Sequence, residues 1–186
     1  MVSGDKDIHH GLIEQCRQGQ KQGFYRLYQL YAKAMFNVCL RLTGNRGDAE
    51  DLVQEAFADA FGRIAEFRYD STFGYWLKQI TVNKCISFLR KRKVELEFIE
   101  DIEALDQPEI DERISEHEEV LKVERVRKAM ETLPDGSRSI FSLYLFEGYD
   151  HTEIAEIMNI TESTSKSQYM RARLRVKEIL LQDERE

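Results

Sequence analysis

Proline and glycine are scarce in this chain, at 2 and 10 of 186 residues. A sandwich or barrel that turns every ~8–12 residues needs more such punctuation, which disfavours an all-β fold. Long apolar runs are lacking too. The opening MVSGDKDIHHGLIEQCRQGQ has no apolar stretch of the roughly 7–15 residues a secretory signal needs, and no later segment approaches the ~18 of a membrane span. A cytoplasmic location is the expectation. The 3 cysteines, Cys16, Cys39 and Cys85, are far apart and form no C-x-x-C pair, which disfavours disulfides and structural zinc. His9, His10, His117 and His151 lack a carboxylate or thiol at ligand spacing and are expected as ordinary surface residues. Neither a metal nor a cofactor is expected. The chain also lacks a Gly-rich phosphate loop and a nucleophile–base pair, so it is not expected to be an enzyme.

What is present is a folded, highly charged chain, with 42% hydrophobic and 33% charged residues. That balance excludes a wholly disordered protein, and the length allows one large domain or two small ones. The net charge of -7 conceals a segregation. Residues 1–94 carry 15 Lys+Arg against 10 Asp+Glu, residues 95–121 carry 1 against 12, and residues 122–186 carry 11 against 12. A basic block, an acidic connector and a near-neutral block therefore follow in order. The connector includes Pro108 and shows no clear helical stripe from Glu95 to about Ile110. It reads as a solvated, self-repelling tether, or alternatively as an acidic strand that occupies a basic channel by mimicking phosphate charge. Extended at ~3.3 Å per residue, about 25 residues reach on the order of 80 Å, beyond one DNA turn of ~34 Å.

Both flanking blocks carry helical periodicity. Leu52, Val53, Ala56, Phe57, Ala60, Phe61 and Ile64 recur at three and four spacing, with Asp48, Glu50, Asp51 and Glu55 in the first turns, where carboxylates suit the helix dipole. Upstream, Phe24, Leu27, Tyr28, Tyr31, Met35, Phe36, Cys39, Leu40 and Leu42 mark a helix that stops at Gly44-Asn45. A third helix is predicted from about Phe73 to Arg92, with Trp76, Leu77, Ile80, Val82, Ile86 and Leu89 buried. It ends in Arg90, Lys91, Arg92 and Lys93, more cations than dipole capping requires, so some are candidates for phosphate contact.

The last block reads as a helix-turn-helix. Asp150 and Glu153 fit a capping box, Ala155 is small where two helices cross, Asn159 suits a left-handed turn, and Thr161 can cap the next helix. That next helix buries Tyr169, Ala172, Val176 and Ile179. It presents Ser163, Lys166, Ser167, Met170 and Arg171 elsewhere, the short polar and basic groups a major-groove reader uses. A plain solvated face is the blander reading of the same residues.

These strings, in this order, resemble the bacterial RNA polymerase sigma factors of the extracytoplasmic-function type. TGNRGDAEDLVQEAF (residues 43–57) resembles the family's core-polymerase-binding motif, followed by FRYDSTFGYWLKQITVN (residues 67–83) and the basic helix end. LPDGSRSIFSLY (133–144), EGYDHTEIAEIM (147–158) and TSKSQYMRAR (164–173) resemble its minus-35-binding domain. The resemblance implies an all-α fold of two small helical domains, residues 8–94 and 120–183, joined by an acidic linker at 95–119. It implies that Asp48, Glu50, Asp51, Leu52, Gln54 and Glu55 dock on core RNA polymerase. Phe73, placed in the loop before the third helix, would contact a flipped base, with Lys78, Asn83, Lys84, Ser87, Arg90, Lys91, Arg92 and Lys93 along the minus-10 DNA. Ser163, Thr164, Lys166, Ser167, Gln168, Met170, Arg171 and Arg173 would serve duplex minus-35 DNA. Melting costs a few kcal/mol per unstacked base and capture returns ~1–3 kcal/mol, so capture of the single strand must accompany opening. An anti-sigma partner is implied as well. The sequence departs from the family's usual TVKSR at TSKSQ, putting Ser165 at an apolar anchor and Gln168 where a DNA-contacting Arg is usual. The rival functions are a stand-alone helix-turn-helix regulator and, with less support, a carboxylate hydrolase built on Asp48, Glu50 and Asp51.

Overall fold

A computed structural model describes residues 8–92 and 125–183. The chain divides into two compact units, Met1–Phe88 and Leu89–Glu186. Among the described residues all regular structure is helical, as expected. The acidic connector, Lys93 and His117 lie outside the described residues.

The first unit contains α1 (His10–Arg17), α2 (Lys21–Thr43), α3 (Arg46–Gly62), a single 3-10 turn (Ile64–Glu66) and α4 (Phe73–Lys91), whose last turn runs past Phe88. Helix α2 ends because Gly44 turns left-handed at φ 66°, and its N–H caps the Leu40 carbonyl at 2.9 Å. A residue with a Cβ resists that conformation, so the sharp reversal belongs to glycine. Asn45 then accepts from the Asp48 N–H at 3.0 Å and starts α3 two residues ahead of the predicted acidic turn. The hairpin closes over Leu27, Val38, Leu42, Leu52, Ala56 and Phe57, all buried. From α4, Phe73, Leu77, Cys85 and Ile86 enter the same interior. The Thr81 hydroxyl, also buried, donates to the Leu77 carbonyl at 2.9 Å and so meets the demand that buried polar groups be paired. Helix α1 packs close on α2 at Gly23, where a Cβ would stand 2.8 Å from the Leu12 carbonyl. All three cysteines are buried, and burial pushes the Cys16 thiol up to about 11.

The second unit contains α5, described over residues 125–131, α6 (Asp135–Leu145), α7 (His151–Met158) and α8 (Glu162–Asp183). Ala129, Met130, Leu133, Phe141, Ala172 and Val176 form its core, with Tyr169 and Ile179 packed against it. Arg138, 6% exposed, closes the corner between α5 and α6 by donating to the Leu133 carbonyl at 3.1 Å and pairing with Asp135. The predicted turn is present in detail. Asp150 and Glu153 form a reciprocal capping box, Asn159 adopts φ 57° and ψ 50°, and Thr161 Oγ1 accepts from the Thr164 N–H at 3.0 Å. No described helix is long and apolar enough to cross a membrane.

Candidate nucleic-acid and polymerase interfaces

Helix α3 sorts its sequence-predicted residues by its 3.6-residue period. Glu50, Asp51, Gln54 and Glu55 are exposed and Asp48 is half-buried, so they form a carboxylate-rich outer face. Leu52 is 2% exposed and belongs to the core, which corrects its placement as a docking contact. Some of that face is already engaged. Arg46 Nε meets Glu50 Oε1 at 2.9 Å while its guanidinium lies 5.6 Å from the Phe36 ring centroid.

Two predicted DNA contacts in the first unit are placed differently. Phe73 is the first residue of α4 rather than a loop residue, and it is fully buried. Thr72 Oγ1 accepts from the Tyr75 N–H at 3.3 Å, so the helix starts directly after Thr72 and turns Phe73 inward. Its ring meets Tyr31 at 5.5 Å, Trp76 at 5.8 Å and Phe67 at 5.9 Å, so it supports the surface instead of forming it. Lys84 bridges to Asp59 Oδ2 at 2.5 Å and Glu55 Oε2 at 3.4 Å, tying α4 to α3. The bond to Asp59 is the main reason its pKa is raised, against desolvation, with the Asp59 and Glu55 charges adding.

The remaining α4 residues share a stripe. Asn83, Ser87, Arg90 and Lys91 are exposed at successive turns, and Arg92 is exposed just beyond. Lys78 is half-buried, its ammonium 5.6 Å from the Tyr75 ring centroid. Exposed Tyr75 and Gln79 extend the stripe toward the loop at 67–72, where Arg68, Asp70 and Thr72 are also exposed. The sequence marks the segment from Phe67 to Lys93 as a whole for minus-10 DNA and singles out none of these loop residues. The available signal was Thr72, a capping residue directly before an aromatic. Trp76 is half-buried beneath the loop, 5.2 Å from the Phe67 ring.

On α8, Ser163, Lys166 and Ser167 are exposed and Thr164, Met170, Arg171 and Arg173 are half-buried. Lys166 pairs with Glu162 one turn earlier at 2.6 Å. Gln168 is corrected: at 6% exposure it lies on the buried arc with Ser165, Ala172 and Val176, and its Oε1 has no protein partner. Ser165, at the apolar-anchor position, is fully buried and hydrogen-bonds His151 Nδ1 at 2.9 Å. The His151 ring also stacks on Tyr144 at 4.5 Å. His151 is therefore part of the junction between α7 and α8 and not an ordinary surface residue. His9 and His10 are likewise half-buried, against Tyr31 and Tyr69. Among the described residues no group of His, Cys, Asp and Glu could hold a metal ion.

Known proteins share this arrangement. Residues 27–95 match the family model for Sigma-70 region 2, and residues 123–176 match that for Sigma-70, region 4. The RNA polymerase sigma-H factor of Pseudomonas aeruginosa is 30% identical over 172 residues, covering 87% of this chain and 88% of the relative. The ECF RNA polymerase sigma factor SigM of Bacillus subtilis is 34% identical over 152 residues, covering 81% and 91%. The solved sigma factor RpoE of Bartonella quintana, in complex with the anti-sigma factor NepR, aligns at a TM-score of 0.55 and 26% identity, covering 84% of this chain and 96% of that one. A stand-alone regulator is not favoured by these matches. The chain belongs to the sigma-70 family of RNA polymerase sigma factors, in its ECF group, and is a promoter-directing, DNA-binding factor of transcription initiation.

Proposed function

We propose a division of labour between two functional domains, residues 8–94 and 120–183, with the acidic segment at 95–119 as their tether. The exposed α3 carboxylates Glu50, Asp51 and Glu55, with Gln54 and Asp48, dock on core polymerase, where ionised groups on a rigid helix suit an Arg-rich partner surface. The α4 stripe and the loop before it hold the minus-10 element and its displaced strand. The outward residues of the first turns of α8, Ser163, Thr164, Lys166, Ser167, Met170, Arg171 and Arg173, enter the major groove at minus-35.

The observation that carries this reading is the α4 stripe. Asn83 and Ser87 offer short polar groups between the loop and a cationic end at Arg90, Lys91 and Arg92, a track suited to a strand whose bases are turned outward. A duplex-only regulator has no use for such a track beside a separate helix-turn-helix. The protein acts without catalysis of its own, in the cytoplasm, where core polymerase is found. A dedicated anti-sigma protein as partner is supported by the complex solved for RpoE of Bartonella quintana.

Run-off transcription with purified core polymerase tests the reading. Promoter-dependent transcripts are expected only when the chain is added, and Asn83→Ala with Ser87→Ala is expected to lose more on a closed duplex than on a template already open at minus-10. Equal loss on both templates removes the assignment of the stripe to strand capture. An inhibitory protein that co-purifies from unstressed cells is the expected sign of the anti-sigma partner.

A further inference from the structure

The loop between the 3-10 turn and α4 holds an unusual backbone. Tyr69 has φ 61°. Side chains other than glycine keep that left-handed conformation only where their surroundings over-determine it, and such residues cluster where a loop must hold one shape. Here the surroundings come from α1, which precedes the Sigma-70 region 2 match at residues 27–95. The Tyr69 hydroxyl donates to Glu14 Oε1 at 2.9 Å. Its ring stacks on His10 at 5.1 Å, and the Arg17 guanidinium lies 5.1 Å from the ring centroid.

Arg17 grips the loop's entry as well. It donates through Nε to the Ile64 carbonyl at 3.4 Å and through Nη2 to the Phe67 carbonyl, and Nη1 meets Glu14 at 2.8 Å. The Glu14 carboxyl lies below its ordinary range chiefly because it accepts from Tyr69, with Arg17 assisting. Two polar side chains on one short helix thus fix both the backbone and the side chain of a loop about fifty positions later, while Arg68, Asp70 and Thr72 stay exposed. Neither side chain belongs to the apolar core, Arg17 and Glu14 keeping 27% and 37% of their side chains exposed.

We propose that Glu14 and Arg17 are positioning residues for promoter recognition: α1 braces the loop at 67–72 in the shape that selects a minus-10 base, without itself touching DNA. The inference rests on the assignment of that loop to minus-10 DNA.

The test uses the full chain with core polymerase and a promoter set differing by single minus-10 bases. Glu14→Ala and Arg17→Ala are expected to reduce the preference for the favoured base by on the order of tenfold, the discrimination one aligned base contact provides. The minus-35 preference and the affinity for core should stay unchanged, and Trp76 fluorescence should report a chain that is still folded at the assay temperature, with a midpoint lowered by the lost hydrogen bonds. Glu14→Ala combined with Tyr69→Phe should be no worse than Glu14→Ala alone, because both remove one bond. If Arg17→Ala fails to fold, Arg17→Lys keeps a cation beside Glu14 but cannot reach both carbonyls. Lost selectivity in that folded variant supports the brace, and retained selectivity overturns it. If Asp70→Ala or Thr72→Ala shifts the preference while the α1 variants do not, the brace is wrong and the loop assignment stands. If neither group of variants shifts it, the loop assignment falls and the brace with it.

Discussion

Removing one hydroxyl from the start of α8 should loosen the junction that aims this helix. Ser165 is fully buried and holds His151 Nδ1 at 2.9 Å. Ser165→Ala leaves a half-buried ring nitrogen without that partner, a loss of about 1–2 kcal/mol. For a unit of this size each kcal/mol moves the unfolding midpoint by ~4–8 °C, so a fall of roughly 4–16 °C is expected. Hydrogen exchange across residues 151–183 of the full chain reads the effect directly. Trp76, the chain's 1 tryptophan, lies in α4 of the other unit and gives an internal control by fluorescence. His151→Phe keeps an aromatic ring on Tyr144 but cannot accept or donate. In that background Ser165→Ala should cost almost nothing further. The pH dependence has a definite sign. Burial lowers the His151 pKa and the Lys166 charge adds to it, while Glu162 and Asp150 oppose. The unfolded chain therefore binds more protons near the ordinary histidine value of about 6.5. Stability from the neutral ring is present above that value and is lost as pH falls through it toward the folded-state pKa. A full Ser165→Ala penalty that persists in the His151→Phe background would refute the hydrogen bond as the cause.

Three further outcomes are expected. Gly23→Ala should destabilise the first unit by about 1–3 kcal/mol in Trp76-monitored urea unfolding, because its Cβ would meet the Leu12 carbonyl and Gln15 Cβ, both at 2.8 Å. Asp150→Ala removes the cap on the Glu153 N–H, 2.8 Å away, and should cost about 1 kcal/mol by hydrogen exchange over α7. Lys84→Ala should cost less than about 1 kcal/mol, since Asp59 and Glu55 are 48% and 59% exposed, and the difference should shrink as salt is added to the same unfolding experiment.

Much of the architecture was legible because α2, α3, α4, α7 and α8 bury apolar side chains at regular spacing, and because Gly44, Asp150, Asn159 and Thr161 are residues whose local chemistry sets an end or a turn. Helix α1 was not legible. It spans 8 residues and buries only Ile13 and Cys16, too few for a period to emerge. At the site, polarity misled in both directions. Gln168 and Ser165 are polar yet lie on the buried arc of α8, where a hydropathy pattern leaves a gap. Lys84 carries the charge expected of a phosphate contact, but the carboxylates that claim it come from another helix and are invisible to local spacing. Phe73 and Leu52 show the converse: a resemblance drew them to the surface, while their apolar period pointed inward.

The burial of every thiol has a practical use. Cys16, Cys39 and Cys85 are shielded in the folded state, and Cys16 is held as the protonated, unreactive form at neutral pH. A single new cysteine on an exposed position of each unit, such as Gln79 in α4 and Ser167 in α8, can then carry a donor and an acceptor dye without first stripping the native sulfurs. Distance measured between such dyes, in the free chain and again on polymerase, turns the span of the acidic connector into an observable quantity.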